Sequence, residues 1–231
     1  HEVYQLLLDR KLTGGVDGDL DPRVVRACLV ELSHPIACVY RSAVCNHEWP
    51  SAWKIEKQVI IKKCPNPESK DDMRNLGLSP YFNKGLEQVL VNWLLPFVTR
   101  YISRDQLGGR KKCSTNHYLA RFVNFIYSEL DSGTPSDRRA VATMAVDLSK
   151  AFNRLDHGKL MVMLYDIGTP TCALRLLRSY LTNRSMRVHL DDVVSERYEL
   201  WGGGPQGGLL TVLLFNFYSN WITDVCQPGL S

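Results

Sequence analysis

Apolar and polar residues alternate along this chain with two different periods, and those periods predict its elements. Glu2 to Leu12 carries its apolar residues on one helical face, and Gly14-Gly15-Val16-Asp17-Gly18 ends that run with turn residues. Asp21-Pro22 predicts a helix start: an acceptor side chain, then Pro at the first helical position. That helix continues through Val24, Val25, Leu29, Leu32 and Ile36, with Pro35 expected to break or kink it. Gln58 to Ile61 is rich in strand formers, Pro65 to Ser69 is a loop, and Met73 to Leu78 is a second short strand or turn. Helical spacing returns from Phe82 to Val98 and from Thr115 to Leu130, on either side of a basic loop, Arg104 to Lys112. Asp131 to Arg138 is a polar linker, too short to separate independent domains. Val141 to Val146 predicts a strand, followed by helices over Gly158–Ile167 and Thr171–Leu181. A hairpin follows, Ser185 to Leu190 and Val193 to Leu200, turning at Asp191-Asp192. The loop Gly202 to Gly207 leads into an apolar helix, Leu209 to Ile222. Helices interleaved with short strands define an α+β class.

Composition narrows this picture without naming a function. A chain of 231 residues, 45% hydrophobic, is folded and of one large or two small domains. Its net charge of +4 permits a polyanionic partner without requiring one. No apolar run is long enough to span a membrane. The start, HEVYQLLLDRK, has neither a signal-peptide pattern nor an initiator Met, so an internal piece of a longer, intracellular and not secreted protein is expected. A nuclear location is compatible with that. The seven cysteines are scattered, with no C-x-x-C spacing, which fits reduced thiols. Cys45 and His47 alone do not make a zinc site.

The chemistry concentrates in two segments. AVDLSKAFNRLDH places an acid, Asp147, at the end of the expected Val141–Val146 strand and an aromatic, Phe152, five residues later. About fifty residues on, GGGPQGGLLTVLLFN surrounds Gln206 with glycines, whose missing Cβ atoms let backbone approach a ligand closely. By itself Asp147 would be a turn acid and Phe152 a core ring at a helix start; Asp156 and His157 are expected as a turn and helix cap.

Together these segments resemble motifs A and B of reverse transcriptases, most closely those of non-LTR retrotransposons. AFNR-x-DH is similar to a form associated with invertebrate retroelement reading frames. Upstream, WKIEKQVIIKK, DMRNLGLSPYFNKGLEQVL and RDQLGGRKKCST are similar in order to the family's fingers segments, so the resemblance runs from about Glu2 to Asn220. It implies a right-hand polymerase fold, with an N-terminal extension and fingers over about 1–140 and a partial palm over 141–231, truncated before the motif C hairpin. It implies two-metal nucleotidyl transfer with Mg2+, in which Asp147 and the Leu148 backbone carbonyl are the metal ligands. Phe152 would exclude a ribose 2′-OH and select deoxynucleotides, and Gln206 would contact the incoming nucleotide. Lys62, Lys63, Arg74 and Arg110 would reach phosphates, although each is equally at home on a solvated face. The implied partners are an RNA template, a DNA primer and deoxynucleotide triphosphates.

The chain also departs from the family's pattern. Asn153 stands where Asp is commonest; Gly204, Gly208 and Val212 replace Val, Ser and Pro; Gly109 replaces an aromatic. No adjacent Asp pair follows Gln206, and Asp191-Asp192 precedes it, in a hairpin turn. The 231-residue chain alone is therefore expected not to polymerise. The expected function is an RNA-directed DNA polymerase fragment of a retroelement. The alternative is a catalytically inactive nucleic-acid-binding remnant, or a protein that keeps only the fold. The polymerase reading further requires Asp147 and Gln206 to lie about 10–15 Å apart, roughly a nucleotide's span.

Overall fold

The structure, a computed structural model, describes residues 2–9, 20–69, 72–110, 112–133, 139–148, 151–190 and 193–222. The glycine-rich break at 14–18, Asp71, Lys111, most of the 131–138 linker and the Asp191-Asp192 turn lie outside those residues. Helix α1 spans Glu2–Leu8, α2 Pro22–Ala27 and α3 Leu29–Asn46. Asp21 caps α2 as expected, its side chain accepting from the Arg23 N–H at 2.8 Å. The interruption falls at Cys28 rather than at Pro35, which lies inside α3. Pro35 and Glu31 are both exposed, so water can satisfy the carbonyl that the proline leaves without a helical partner.

Five strands form one mixed sheet among the described residues. Strands β1 (Ile55–Lys62) and β2 (Met73–Leu78) are antiparallel, with Gln58 opposite Gly77 and Ile61 opposite Arg74. Strand β3 (Arg184–Leu190) runs parallel to β1 on its other side. The short strands β4 (Val193–Val194) and β5 (Tyr198–Leu200) both pair antiparallel with β3, as two pieces of the expected return arm.

The remaining helices are α4 (Tyr81–Val98), α5 (Thr115–Asp131), α6 (His157–Asp166), α7 (Thr171–Leu181) and α8 (Leu209–Tyr218). Leu86, Leu90, Leu94 and Val98 recur every fourth residue on α4, which puts them on one buried face. They pack in a single cluster with Tyr40 of α3, Leu160 and Leu164 of α6, Leu177 and Leu181 of α7, and Leu210 and Leu214 of α8. That core crosses residue 140 freely, so the two parts of the chain are packed as one body.

The strand expected at Val141–Val146 does not form. Residues 139–148 carry no regular structure, and Met144 and Val146 are 84% and 72% exposed. β-branched composition favours a pleated, half-buried setting, but a strand exists only when a neighbour supplies its ladder. No described strand lies beside this segment. Asp147 therefore follows an irregular stretch and precedes a single 3-10 turn, Ala151–Arg154, instead of ending a strand.

A buried polar cluster joins the sheet to the helices. Arg184, on β3, donates through Nε to Glu56 Oε1 on β1 at 3.1 Å and through a terminal guanidinium nitrogen to the Tyr180 carbonyl at 3.0 Å. Its guanidinium lies over the Tyr180 ring, 5.0 Å from the centroid. Glu87, fully buried on α4, accepts from Asn83 Nδ2 at 2.6 Å, and Asn83 accepts from Trp49 Nε1 at 2.8 Å. Burial pushes the Glu56 and Glu87 carboxyls above the ordinary value of 4.5, against the pull of Arg184.

That direction fixes the sign of a pH effect. Between 4.5 and the raised values the folded chain binds more protons than the unfolded one, so stability falls as pH rises through that window. The melting temperature should rise by roughly 2–4 °C per kcal/mol gained as pH is lowered from neutrality towards 4.5. Asp21 and Asp72, held below 3.8 by hydrogen bonds from Arg23 and Ser69, oppose the trend only in stronger acid. Glu56→Gln should flatten the slope in a scanning-calorimetry pH series; an unchanged slope would mean that this carboxyl does not titrate there.

Candidate functional site

The loop around Gln206 is locked to the segment around Phe152 by backbone. Gly204 N–H donates to the Phe152 carbonyl at 2.9 Å, and Gly203 N–H donates to the Leu155 carbonyl at 3.1 Å. Gly203 has φ +79°, and a Cβ built there would lie 2.8 Å from Asn153 Cα and 2.9 Å from the Phe152 oxygen. Glycine is therefore required twice, for the left-handed backbone and for the close approach. His157 Nε2 hydrogen-bonds the Gly203 oxygen at 2.6 Å. Asp156 caps α6, accepting from the Lys159 N–H at 2.9 Å, as expected.

On this scaffold the side chains of the two segments meet. Gln206 Nε2 donates to Asn153 Oδ1 over a long 3.4 Å. Phe152, 40% exposed, stands edge-on to Phe215 of α8 with ring centroids 5.1 Å apart. Asp147 and Leu148 line a cavity of about 310 Å3 together with Ala151, Arg154, Phe215 and Trp221. Phe215 thus touches Phe152 and shares that cavity with Asp147, which links the acid, the ring and Gln206 through one helix.

The sheet and the basic loop close the far side. A Cβ on Gly77 would lie 2.7 Å from Gln206 Cβ, so β2 passes directly against the loop. Lys62 shares the Gly77 face of the sheet and lies four positions along β1 from Gln58, about 13 Å away. Lys62 and Lys63 are exposed at that strand end. Arg74 is also exposed, three positions from Gly77 and so on the alternate face. The Arg110 guanidinium turns back towards its own loop, 3.3 Å from the Ser103 oxygen. That loop is fixed on α8 where Asn216 Nδ2 donates to the Gly108 oxygen at 2.6 Å.

The departures noted in the sequence fit one another here. A Cβ on Gly109, φ +66°, would overlap Val212, so an aromatic at 109 and the present helix α8 exclude each other. A Cβ on Gly204 would lie 2.5 Å from Thr211 Cγ2. A Cβ on Gly208 would sit 3.0 Å from Tyr180 Oη and 3.1 Å from Glu87 Oε2.

Metal binding can be tested against these groups. Among the described residues no three His, Cys, Asp or Glu side chains converge as a metal cluster. Asp147 and Leu148 line the same cavity, and a carboxylate and a backbone carbonyl are hard oxygen donors of the kind magnesium takes alongside substrate phosphates. Their chemistry fits that ion, and on their own they would make only part of a coordination sphere. Among the described residues no helix is long and apolar enough to cross a membrane.

Comparisons with known proteins give the family. The family described as reverse transcriptase (RNA-dependent DNA polymerase) matches residues 61–228. The chain belongs to the reverse transcriptase family. It is 26% identical over 223 residues to the RNA-directed DNA polymerase from mobile element jockey of Drosophila melanogaster. It is 27% identical over 199 residues to the probable RNA-directed DNA polymerase from transposon X-element of the same organism. The alignments cover 95% and 85% of this chain but 24% and 21% of those relatives, so the chain spans about a quarter of their length. The type is that of a non-LTR retrotransposon reverse transcriptase domain.

Sequence reasoning did not assign roles to Glu56, Glu87, Arg184 or Tyr180. Glu87 stood in a matched segment, but nothing in its spacing says what it holds. Glu56 and Gln58 alternate with Lys57 and Val59, so both faces of that strand carry polar residues and neither announces itself as inner.

Gly203→Ala should cost about 2–4 kcal/mol, from left-handed strain plus backbone overlap. Gly168→Ala is the control, since Gly168 has the same φ of +79° and nothing within 4 Å of its Cβ position. Urea unfolding should separate the two variants by about 1 kcal/mol or more; equal losses would mean that the clash with Asn153 is relieved by movement.

Proposed function

We propose that this chain supplies the nucleotide-binding half of an RNA-directed DNA polymerase in a retroelement, copying an RNA template onto a DNA primer with deoxynucleotide triphosphates. The observation that carries this is the backbone lock between the Phe152 and Gln206 segments, Gly204 N–H to the Phe152 oxygen at 2.9 Å, which brings the two segments side by side. Residues 1–140 serve as N-terminal extension and fingers and 141–231 as the part of the palm that carries motifs A and B. This division is one of role, because a single core unites them.

In this reading the incoming nucleotide lies between Phe152 and Gln206. The Phe152 ring, braced edge-on by Phe215, occupies the space that a 2′-OH would need. Gln206 is held against Asn153 by a weak 3.4 Å bond, so little is lost when its amide turns to the nucleotide. Gly77 lets β2 approach the Gln206 backbone, leaving a flat wall for a base pair. Asp147 and the Leu148 carbonyl hold Mg2+, which supplies charge neutralisation at the phosphoryl oxygens when bound. Lys62 attracts and orients phosphates from the Gly77 side of the sheet, and Lys63, Arg74 and Arg110 add positive charge around it.

Binding gives one test. Affinity for single-stranded nucleic acid should fall steeply with salt, and Lys62→Ala with Lys63→Ala should reduce the slope of log affinity against log salt by about 1–1.5, at roughly 0.7 per contact. A slope unchanged by the double substitution would return both lysines to the solvated surface. Activity gives another, in the polymerase that carries this chain together with its motif C. Asp147→Asn should abolish primer extension, and Phe152→Val should raise ribonucleotide incorporation about tenfold or more. An unaltered deoxy-to-ribo ratio would remove the gate from Phe152, and Asp147-independent extension would remove the acid from the chemistry.

A further inference from the structure

Two buried carboxylates outside the residues named above converge on the Gln206 loop from opposite sides. Helix α8 begins at Leu209 behind Gly208, which has no side chain with which to cap it. The Leu209 N–H instead donates to Glu87 Oε2 at 2.9 Å, a carboxylate brought from α4. An acid there satisfies an orphan amide and meets the positive end of the helix dipole. At the other side of the same turn, Gln206 packs against Gly77 of β2, next to β1, and its N–H is near enough to Glu56 to favour the charged carboxylate. Arg184 is hydrogen-bonded to Glu56 and lies over the Tyr180 ring, while Asn83 and Trp49 hold Glu87 from behind. Between Gln206 and the anchored Leu209 amide lie Gly207, φ +75°, and Gly208, a pair with little stiffness of its own.

We propose that Glu56 and Glu87, held in place by Arg184 and Asn83, are positioning residues for Gln206. They hold both ends of the Gln206–Leu209 turn, and so set the direction in which the Gln206 side chain projects. The glycines allow the turn but do not select it; the buried carboxylates make the selection, through charge-assisted hydrogen bonds of the stronger kind. Gly208 is matched to this arrangement, because a Cβ there would press on Glu87 and Tyr180. The inference rests on the polymerase reading only for what Gln206 contacts.

Amide exchange on the 231-residue chain tests the positioning without requiring catalysis. Glu87→Ala should speed exchange at Leu209 by about tenfold or more, while Leu176 and Leu177 in the core of α7 stay as they were. Glu87→Gln, which keeps the shape and an acceptor oxygen, should return Leu209 to within roughly threefold of the parent. Glu56→Ala and Glu56→Gln should do the same at Gln206. Deoxynucleotide triphosphate affinity, measured with primer–template bound, should weaken about tenfold in the alanine variants with primer–template affinity unchanged. Unaltered exchange at Leu209 and Gln206 in the alanine variants overturns the proposal. If those variants do not fold, Glu87→Asp and Glu56→Asp decide it: the shorter acids should free Leu209 and Gln206 alone, and parental exchange at both amides overturns it. Should the parent bind no deoxynucleotide triphosphate, the polymerase reading fails, while the exchange result still decides the role of the two carboxylates.

Discussion

A buried guanidinium paired with one buried carboxylate, with a second buried carboxylate within its electrostatic reach, is the constraint on which the rest depends. Arg184 is 3% exposed, Glu56 2% and Glu87 0%. A buried ion pair recovers at best about what desolvation takes away, so such a cluster is poor evidence for stability as such. Its geometry is another matter. The groups come from β1, β3, α4 and α7, and their remaining hydrogen bonds reach backbone at the Tyr180 carbonyl and the Leu209 N–H, with the Gln206 N–H close to Glu56. A hydrophobic replacement could fill the same volume and would leave those backbone groups without these partners. The cluster is thus a means of transferring order from the helical core to a glycine-rich loop that has little order of its own.

The same logic explains why the departures from the reverse-transcriptase pattern occur together. Gly109 and Val212 occupy one another's space, and Gly208 sits where Glu87 supplies the cap that a serine at that position would supply itself. Gly204 leaves room for Thr211, whose hydroxyl donates to the Pro205 carbonyl at 2.8 Å. Each change taken alone would look like damage to the packing of α8. Taken as contact pairs, they describe a helix packed close to its neighbours, with its start held by a carboxylate from elsewhere.

What was legible in the sequence follows from where the information is local. The Asp21-Pro22 start, the helix over Phe82–Val98, the Asp156 cap and the strand-forming runs near Gln58 and Met73 are written in adjacent residues, and each is present. The Phe152 and Gln206 segments were recognisable as motifs, and a backbone lock joins them. The strand at Val141–Val146 was misjudged because strand formation depends on a partner, which composition does not reveal. Cys28 ends α2 where Pro35 looked the better breaker, since an exposed proline leaves its carbonyl to water. The Glu56–Arg184 pair was invisible because its members lie 128 residues apart and neither sits in an apolar stretch that would mark it as buried.

The two halves of the site are consequently unequal in rigidity. Gln206 is fixed by backbone bonds on both sides, by Gly77 beneath it and by the buried cluster behind it. Asp147 follows an irregular, exposed segment with no described strand beside it, and its neighbours in the cavity, Phe215 and Trp221, belong to other elements. A metal-ligating carboxylate has to be held to within a fraction of an ångström, and exposed irregular backbone does not do that unaided. On the proposed reading, a working centre therefore needs residues 139–148 ordered against a further strand, whereas the loop proposed to contact the nucleotide is already formed. Nucleotide recognition would then draw on packing that is present here, and metal placement would depend on whatever pairs with the Asp147 segment.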